Sequence, residues 1–291
     1  MQAFITQHPG EIAGLSAALL WALASLMYQQ LGDLLKPIML NLLKGIIAVV
    51  ALGLSLVILQ EWSFDSFETA LWLLVISGLV GISLGDTFFF MALNRIGARQ
   101  MLLLETLSPV MAALIGVLFF AIILSGQQWL GMLITLAGIA WVISGESSKR
   151  GWQLNVGLLY GAAASLCQAI GAVLSHVALN SMEISALASA FIRMLVATGL
   201  LLPVLVLTKE RLPKLSIKHL KLLIPAALIG TFLCLWLQQI ALKYTEPAIA
   251  QTLLALSPIC VLPLVAMLGE KPTLRAIGGA IIAVFGVSLL F

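Results

Sequence analysis

Long apolar runs, each bounded by charged residues, proline or glycine, dominate the hydrophobic pattern of this chain. Apolar and polar residues do not alternate within the runs, which favours helices over β-strands. A helix that spans a bilayer needs roughly 20 apolar residues, because backbone polar groups in lipid must be paired within the segment. The pattern predicts ten transmembrane helices, at 11–30, 37–60, 69–94, 99–121, 127–145, 154–179, 184–207, 217–243, 247–267 and 272–290. No lysine or arginine precedes the first segment, so we expect a retained helix rather than a cleaved signal peptide.

The chain contains an internal repeat. A shift of 149 residues places 81–109 over 230–258 without a gap, and eight of the 29 pairs are identical. The same shift places Lys44 on Arg193. We assign residues 1–146 to a first five-helix repeat, 147–153 to a linker loop and 154–291 to a second five-helix repeat.

Each predicted repeat has an odd number of helices, so the second repeat enters the membrane from the opposite side. The sequence therefore predicts an all-α polytopic membrane protein whose ten transmembrane helices form two inverted five-helix repeats. Inverted repeats are common in secondary transporters, because each half can adopt the other's conformation and so expose a central site to alternate sides.

Lysine and arginine in the short loops predict the orientation. Twelve of the 15 follow odd-numbered helices, only Lys243 lies on the other face, and Lys44 and Arg193 lie within helices. Because cytoplasmic loops carry the excess of basic residues, we expect both termini to be non-cytoplasmic. The expected location is the cell (inner) membrane, with multiple passes.

The composition narrows the classes of function. The chain is 62% hydrophobic and 9% charged, whereas soluble domains are roughly 45–50% apolar and 25% charged. The net charge of +3 is too small to indicate a nucleic-acid partner. No phosphate-binding loop or zinc motif is present, so we expect neither a cofactor nor a metal. The expected partners are the lipid bilayer, a small-molecule substrate and protons, with the protein a monomer or homodimer.

The chain contains a set of short motifs, of which Ala-Leu and Leu-Ser-Pro occur in the same order in both halves. The motifs are Gly85-Asp86-Thr87-Phe88-Phe89-Phe90, Ala92-Leu93-Asn94-Arg95, Leu107-Ser108-Pro109, Ala241-Leu242-Lys243-Tyr244, Leu256-Ser257-Pro258 and the Gly269-Glu270-Lys271 turn. Over nearly the whole chain this set resembles the drug/metabolite transporter (DMT) superfamily, specifically its EamA-type ten-helix transporters. The resemblance implies export of a small polar metabolite by alternating access. The first half lacks the Gly-Glu turn, and many members have cytoplasmic termini, unlike the orientation that the loop charges predict.

Ionisable residues inside membrane helices cost roughly 2.5–3.5 kcal/mol each at mid-helix and are functional candidates. Lys44, Asp86 and Glu105 lie at similar depth, roughly 9–13 Å along their helices from basic residues of the same face. One cation cannot neutralise two carboxylates, so we predict that Asp86 and Glu105 share an exchangeable proton that couples to transport. A static cluster that fixes helix packing is the alternative, above all for Glu105.

Arg193 has no acidic counterpart at the equivalent positions of the second half. A guanidinium facing a water-filled cavity can bind a carboxylate or phosphate through two parallel hydrogen bonds. We therefore expect an amino acid or another carboxylate as substrate. The alternatives are hydrogen bonds to helix carbonyls or glutamines, or pairing with Asp86.

Aromatic and amide side chains complete the predicted substrate site, since small-molecule pockets combine apolar walls with a few polar groups. The predicted substrate-binding residues are Arg193, Lys44, Gln168, Trp21, Trp236 and Gln239. Packing in the membrane is the alternative for the tryptophans and for Gln168. Pro109 and Pro258 each interrupt a fourth helix and are predicted to form gates.

Other functions remain as alternatives to a carrier. Ser83-Leu84-Gly85-Asp86 is similar to the Gly-x-Gly-Asp motif of intramembrane aspartyl proteases, but the first glycine is replaced and no second aspartate lies within a span. We therefore do not expect an enzyme. A channel or lipid scramblase stays open.

Overall fold

The computed structural model describes residues 8–32, 34–61, 69–144, 156–181, 183–208, 215–260 and 273–290, and every regular element in them is helical. The α-helices are α1 (Pro9–Gly32), α2 (Pro37–Leu59), α3 (Thr69–Ser77), α4 (Gly85–Glu105), α5 (Leu107–Phe120), α6 (Gly126–Ser144), α7 (Val156–Ser181), α8 (Ala186–Thr208), α9 (Ile217–Ala227), α10 (Cys234–Tyr244), α11 (Pro247–Leu254) and α12 (Leu274–Ser288). A helical turn at 257–260 follows α11.

Long apolar helices make this a multi-pass membrane protein. Seven helical stretches of the described residues are long and apolar enough to cross a membrane: Pro9–Gly32, Pro37–Leu59, Leu71–Gly97, Met101–Phe120, Val156–Ser181, Ala186–Leu207 and Ile217–Tyr244. Leu54 and Ile58 of α2 are 59% and 75% exposed, as expected of a surface that faces lipid. The prediction of an all-α membrane protein is confirmed. The predicted 147–153 linker and the Gly269-Glu270-Lys271 turn lie outside the described residues.

The third helix of each half contains a π-helical turn that the hydrophobic pattern did not indicate. These turns, Gly78–Leu84 and Leu228–Leu233, occupy equivalent positions under the 149-residue shift. Gly78 and Gly81 let the first turn approach α8, because a Cβ atom at Gly78 would lie 2.5 Å from the Arg193 carbonyl oxygen. The helical stretch is then broken inside α4 at Gly97, whose φ is 79°. This break lies at the predicted boundary between two spans.

The two halves pack in a reciprocal arrangement. Helix α1 packs against α10 and α11, while its counterpart α7 packs against α4 and α5. Three further contacts, α2 with α8, α5 with α11 and α6 with α12, join an element to its own counterpart. This is the pattern of an approximate two-fold axis between the halves.

Equivalent helices run antiparallel where they meet. A Cβ atom at Gly131 of α6 would lie 2.8 Å from the Gly286 carbonyl oxygen, and one at Gly138 would lie 2.7 Å from the Gly279 carbonyl oxygen. Advancing along α6 therefore means moving backwards along α12. In the same way, Gly45 of α2 contacts Thr198 of α8 and the later Gly53 contacts the earlier Phe191.

Close glycine packing between α6 and α12 predicts that Gly279→Ala lowers stability. A Cβ atom there would lie 2.6 Å from the Val142 side chain and 2.8 Å from the Gly138 carbonyl oxygen, so backbone must shift. We expect a loss of about 1–3 kcal/mol, measured as a lower Tm in detergent. The neighbouring Gly278→Ala is the control, because a Cβ atom at Gly278 meets nothing within 4 Å. Equal Tm values for the two variants would contradict the close packing.

Candidate functional site

A cavity of about 90 Å³ lies where the two halves meet. Its polar lining consists of Lys44, Asp86, Glu105, Ser108, Ser165, Gln168, Arg193, Thr231, Gln238 and Gln251, and Trp21, Ile82, Met194, Leu235 and Leu254 belong to its apolar lining. The volume is well below the ~300–1,000 Å³ of pockets for drug-sized ligands. In this conformation the cavity accommodates only a small solute.

The cavity is nearly symmetric in backbone but asymmetric in charge. Lys44 and its equivalent Arg193 both line it. Asp86 and Glu105 of the first half are matched across the cavity by Leu235 and Leu254. Both acids of the cavity therefore come from one half, and the cations come from each.

Lys44 and Asp86 form a buried ion pair in the cavity wall. The Lys44 Nζ atom lies 2.5 Å from Asp86 Oδ2, and Gln168 Nε2 donates a hydrogen bond of 3.1 Å to Asp86 Oδ1. The Phe90 ring lies beneath the lysine, with its centroid 5.7 Å from Nζ. A buried charge pair is stable only when its remaining polar positions are also satisfied, and Gln168 does this for Asp86.

Arg193 is buried at the cavity without such a partner. It is 1% exposed, and its Nε and Nη1 atoms have no hydrogen-bond partner among the described residues. The guanidinium lies beside Gly81, where a Cβ atom would come within 3.2 Å of Nη2, and beside Gly171. These glycines leave room for the arginine while offering it no side-chain acceptor.

Glu105 is a second charged group without a partner. It is the last residue of α4, is half-buried, and makes no hydrogen bond or ion pair with any residue that the structure describes. The predicted cluster of one lysine with two carboxylates is thus divided, because Asp86 takes the lysine and Glu105 faces the cavity alone.

The aromatic and amide residues divide into two groups. Trp21 lines the cavity, with its ring centroid 5.6 Å from that of Phe89. Trp236 and Gln239 are not among the described residues that line it. Trp236 packs in an apolar cluster near Phe232, and the fully buried Gln239 accepts a 2.8 Å hydrogen bond from Ser189 Oγ.

Two helix breaks lie at the cavity, next to residues that line it. Helix α4 ends at Glu105 and α5 begins at Leu107, so Pro109 lies in the first turn of α5. Likewise α11 ends at Leu254, and Pro258 lies in the helical turn that resumes at 257. Proline cannot donate the bond to the carbonyl four residues earlier, which is Glu105 or Leu254. The predicted proline interruptions are therefore present, three residues before each proline.

Two polar residues that stabilise the site were not identified from the sequence. Asn41 Nδ2 donates to the Ile82 carbonyl at 3.2 Å and to Thr87 Oγ1 at 3.1 Å, beside the first π-helical turn. The Tyr28 hydroxyl donates to the Ala226 carbonyl at 3.0 Å, beside the second. These two residues could have been identified as polar side chains that pack opposite π-helical turns. The hydrophobic pattern did not predict the turns, so this signal could not be used.

The described residues offer no metal site, since no group of three or more histidine, cysteine, aspartate or glutamate side chains gathers in them. The cavity instead presents hydrogen-bond donors from Arg193 and an acceptor from Glu105. This arrangement can hold a small ionised solute.

Comparisons with known proteins identify two matching halves. A family model described as the EamA-like transporter family matches residues 8–144 and again 155–291. Twenty-nine chains among the solved structures match this chain. One of them, described only as the crystal structure of a protein, has a TM-score of 0.78 and 17% identity over 97% of this chain and 96% of that chain. At this identity the similarity shows a common fold alone. No curated protein matches the chain.

Proposed function

The chain belongs to the EamA-like transporter family, and on this premise we propose that it carries a small polar metabolite across the membrane as a secondary transporter. The observation that carries the proposal is the buried, unpartnered guanidinium of Arg193 in a cavity between two antiparallel halves. Ten spans in two inverted repeats would let the cavity open to one side of the membrane in one conformation and to the other side in the second. The helix breaks before Pro109 and Pro258 supply the hinges for such gating.

We infer that the substrate carries a carboxylate. A planar guanidinium can hold the two oxygens of a carboxylate through two parallel N–H bonds, and Nε and Nη1 of Arg193 have no partner among the described residues. Glu105 offers an acceptor in the same cavity, so an amino acid fits as well as a simple acid. Lys44 is neutralised by Asp86 and contributes to the wall of the site rather than to its net charge. The direction is export, as the family resemblance implies.

Arg193→Lys tests the role of the guanidinium, because lysine retains the charge and loses the planar pair of donors. We expect about ten- to hundredfold weaker binding of the transported acid, the equivalent of losing one charge-assisted hydrogen bond. The measurement is ligand-induced thermal stabilisation across a metabolite panel, followed by flux in proteoliposomes. Arg95→Lys is the control, since Arg95 lies against Tyr160 outside the cavity. Full transport by Arg193→Lys would exclude direct contact with the substrate.

Proton coupling belongs to the same proposal. Asp86 has a cation and an amide donor as partners, whereas Glu105 has neither among the described residues. A buried carboxylate that is not paired with a cation favours the neutral, protonated form. Glu105 is therefore the better candidate for the exchangeable proton, and Asp86 is the residue that holds Lys44.

Glu105→Gln should abolish the response of transport to an imposed pH gradient while preserving substrate exchange. The amide imitates the protonated acid and cannot release a proton. Flux in proteoliposomes with and without the gradient measures both properties. Asp86→Asn is the comparison, and it should lower Tm because Lys44 loses its counter-charge in a buried position. An unaltered pH response in Glu105→Gln would remove Glu105 from the coupling.

Both termini are proposed to be non-cytoplasmic, from the distribution of basic residues in the loops. In a background with Cys167, Cys234 and Cys260 replaced by alanine, Gln128→Cys should react with a membrane-impermeant maleimide in intact cells. Leu34→Cys, at the opposite end of the helices, should react only after permeabilisation. The reverse labelling pattern would invert the orientation.

A further inference from the structure

Gln251 is a buried side chain of the cavity with a free hydrogen-bond donor. It is 6% exposed, and its Nε2 atom has no partner among the described residues. Its Oε1 atom accepts a long hydrogen bond of 3.4 Å from Ser108 Oγ. A buried donor without an acceptor is costly, so an acceptor on a bound solute would stabilise this arrangement.

The position of Gln251 places its side-chain amide in the wall of the cavity. It lies in α11 one turn before the helix ends at Leu254, and Leu254 and Ala255 also line the cavity. Ser108 lies just after the corresponding break between α4 and α5. In transporters, interrupted helices of this kind supply substrate contacts at the middle of the membrane. Arg193, on α8, contributes the charged donors of the same cavity.

We propose that Gln251 is a specificity-determining residue whose amide N–H donates to a second, neutral oxygen of the solute. This inference rests on the proposed function, in which Arg193 binds the carboxylate. Acids with a carbonyl oxygen are then preferred over acids with a methylene group in its place, because the latter leave Nε2 without a partner. A site that makes such a hydrogen bond discriminates against analogues that lack the acceptor.

Gln239 is a matched control within the same chain. It is also buried, its Oε1 atom accepts from a serine hydroxyl, and its Nε2 atom has no partner among the described residues. It differs from Gln251 in lying outside the cavity lining. A comparison of the two glutamines therefore separates contact with the solute from the general effect of removing a buried amide.

The experiment uses two pairs of acids on the purified full-length protein. Pyruvate is compared with propionate, and acetoacetate with butyrate, since each pair has equal carbon number and differs by one carbonyl. Ligand-dependent thermal stabilisation gives the apparent Kd of each acid. The wild type should prefer the keto acid of at least one pair by about three- to tenfold, as one neutral hydrogen bond provides.

Gln251→Leu should remove that preference, so that both acids of a pair bind about equally. Gln251→Glu should also remove it, and it keeps the side-chain size in case leucine is not tolerated. Gln239→Leu should retain the wild-type preference. Equal binding within both pairs by the wild type, a preserved preference in the Gln251 variants, or its loss in Gln239→Leu would overturn the inference. Each of those results leaves carboxylate binding intact. A wild type that binds none of the four acids would instead overturn the carboxylate proposal and this inference together.

Discussion

The cost of burying charge in an apolar interior determines how the centre of this protein is arranged. Lys44 is buried with a carboxylate at 2.5 Å, and that carboxylate has an amide donor as well. Such a pair is tolerated because each charge has a counter-charge and the second oxygen of the carboxylate accepts a further hydrogen bond. Arg193 has the same depth of burial and lacks both among the described residues. An anion bound in the cavity would supply acceptors for its free donor atoms.

The two halves share a backbone plan and differ in chemistry. Equivalent helices meet antiparallel, and the cations at 44 and 193 both line the cavity. Asp86 and Glu105 have leucines as counterparts, so Lys44 is paired within its own half, while Arg193 makes no ion pair among the described residues. The backbone is therefore repeated between the halves, whereas the acidic residues of the cavity lining come from one half.

Interruptions of the helices are concentrated around the cavity. Two π-helical turns and two breaks before prolines occur at equivalent places in the halves. π-helical turns are frequent at functional sites. Here Asn41 and Tyr28 bind carbonyl groups beside the two turns, and the Ser165 hydroxyl donates to the Leu104 carbonyl near the first break at 2.8 Å. Side chains thus satisfy irregular backbone that lipid could not.

The sequence by itself determined the helical membrane class, the repeat, and the identity of the ionisable residues at the centre. The length of apolar runs, the spacing of glycine and proline, and the cost of charge in lipid can be read from the order of residues along the chain. Which side chains of a helix face the cavity also depends on how that helix is rotated against its neighbours. Gln238 lines the cavity and Gln239 does not, although they are adjacent and differ by about 100° around the helix.

Only the tertiary structure decided which polar residues share one cavity. A π-helical turn precedes α10 in the described chain and shifts the phase of the residues that follow it, so periodicity cannot assign Trp236 or Gln239 to a face. Lys44 pairs with Asp86 and not with Glu105, and this choice depends on distances between helices that are far apart in sequence. The same is true of the donors of Gln251 and Arg193 that have no partner among the described residues. Packing fixes those distances, and packing is a property of all the helices together.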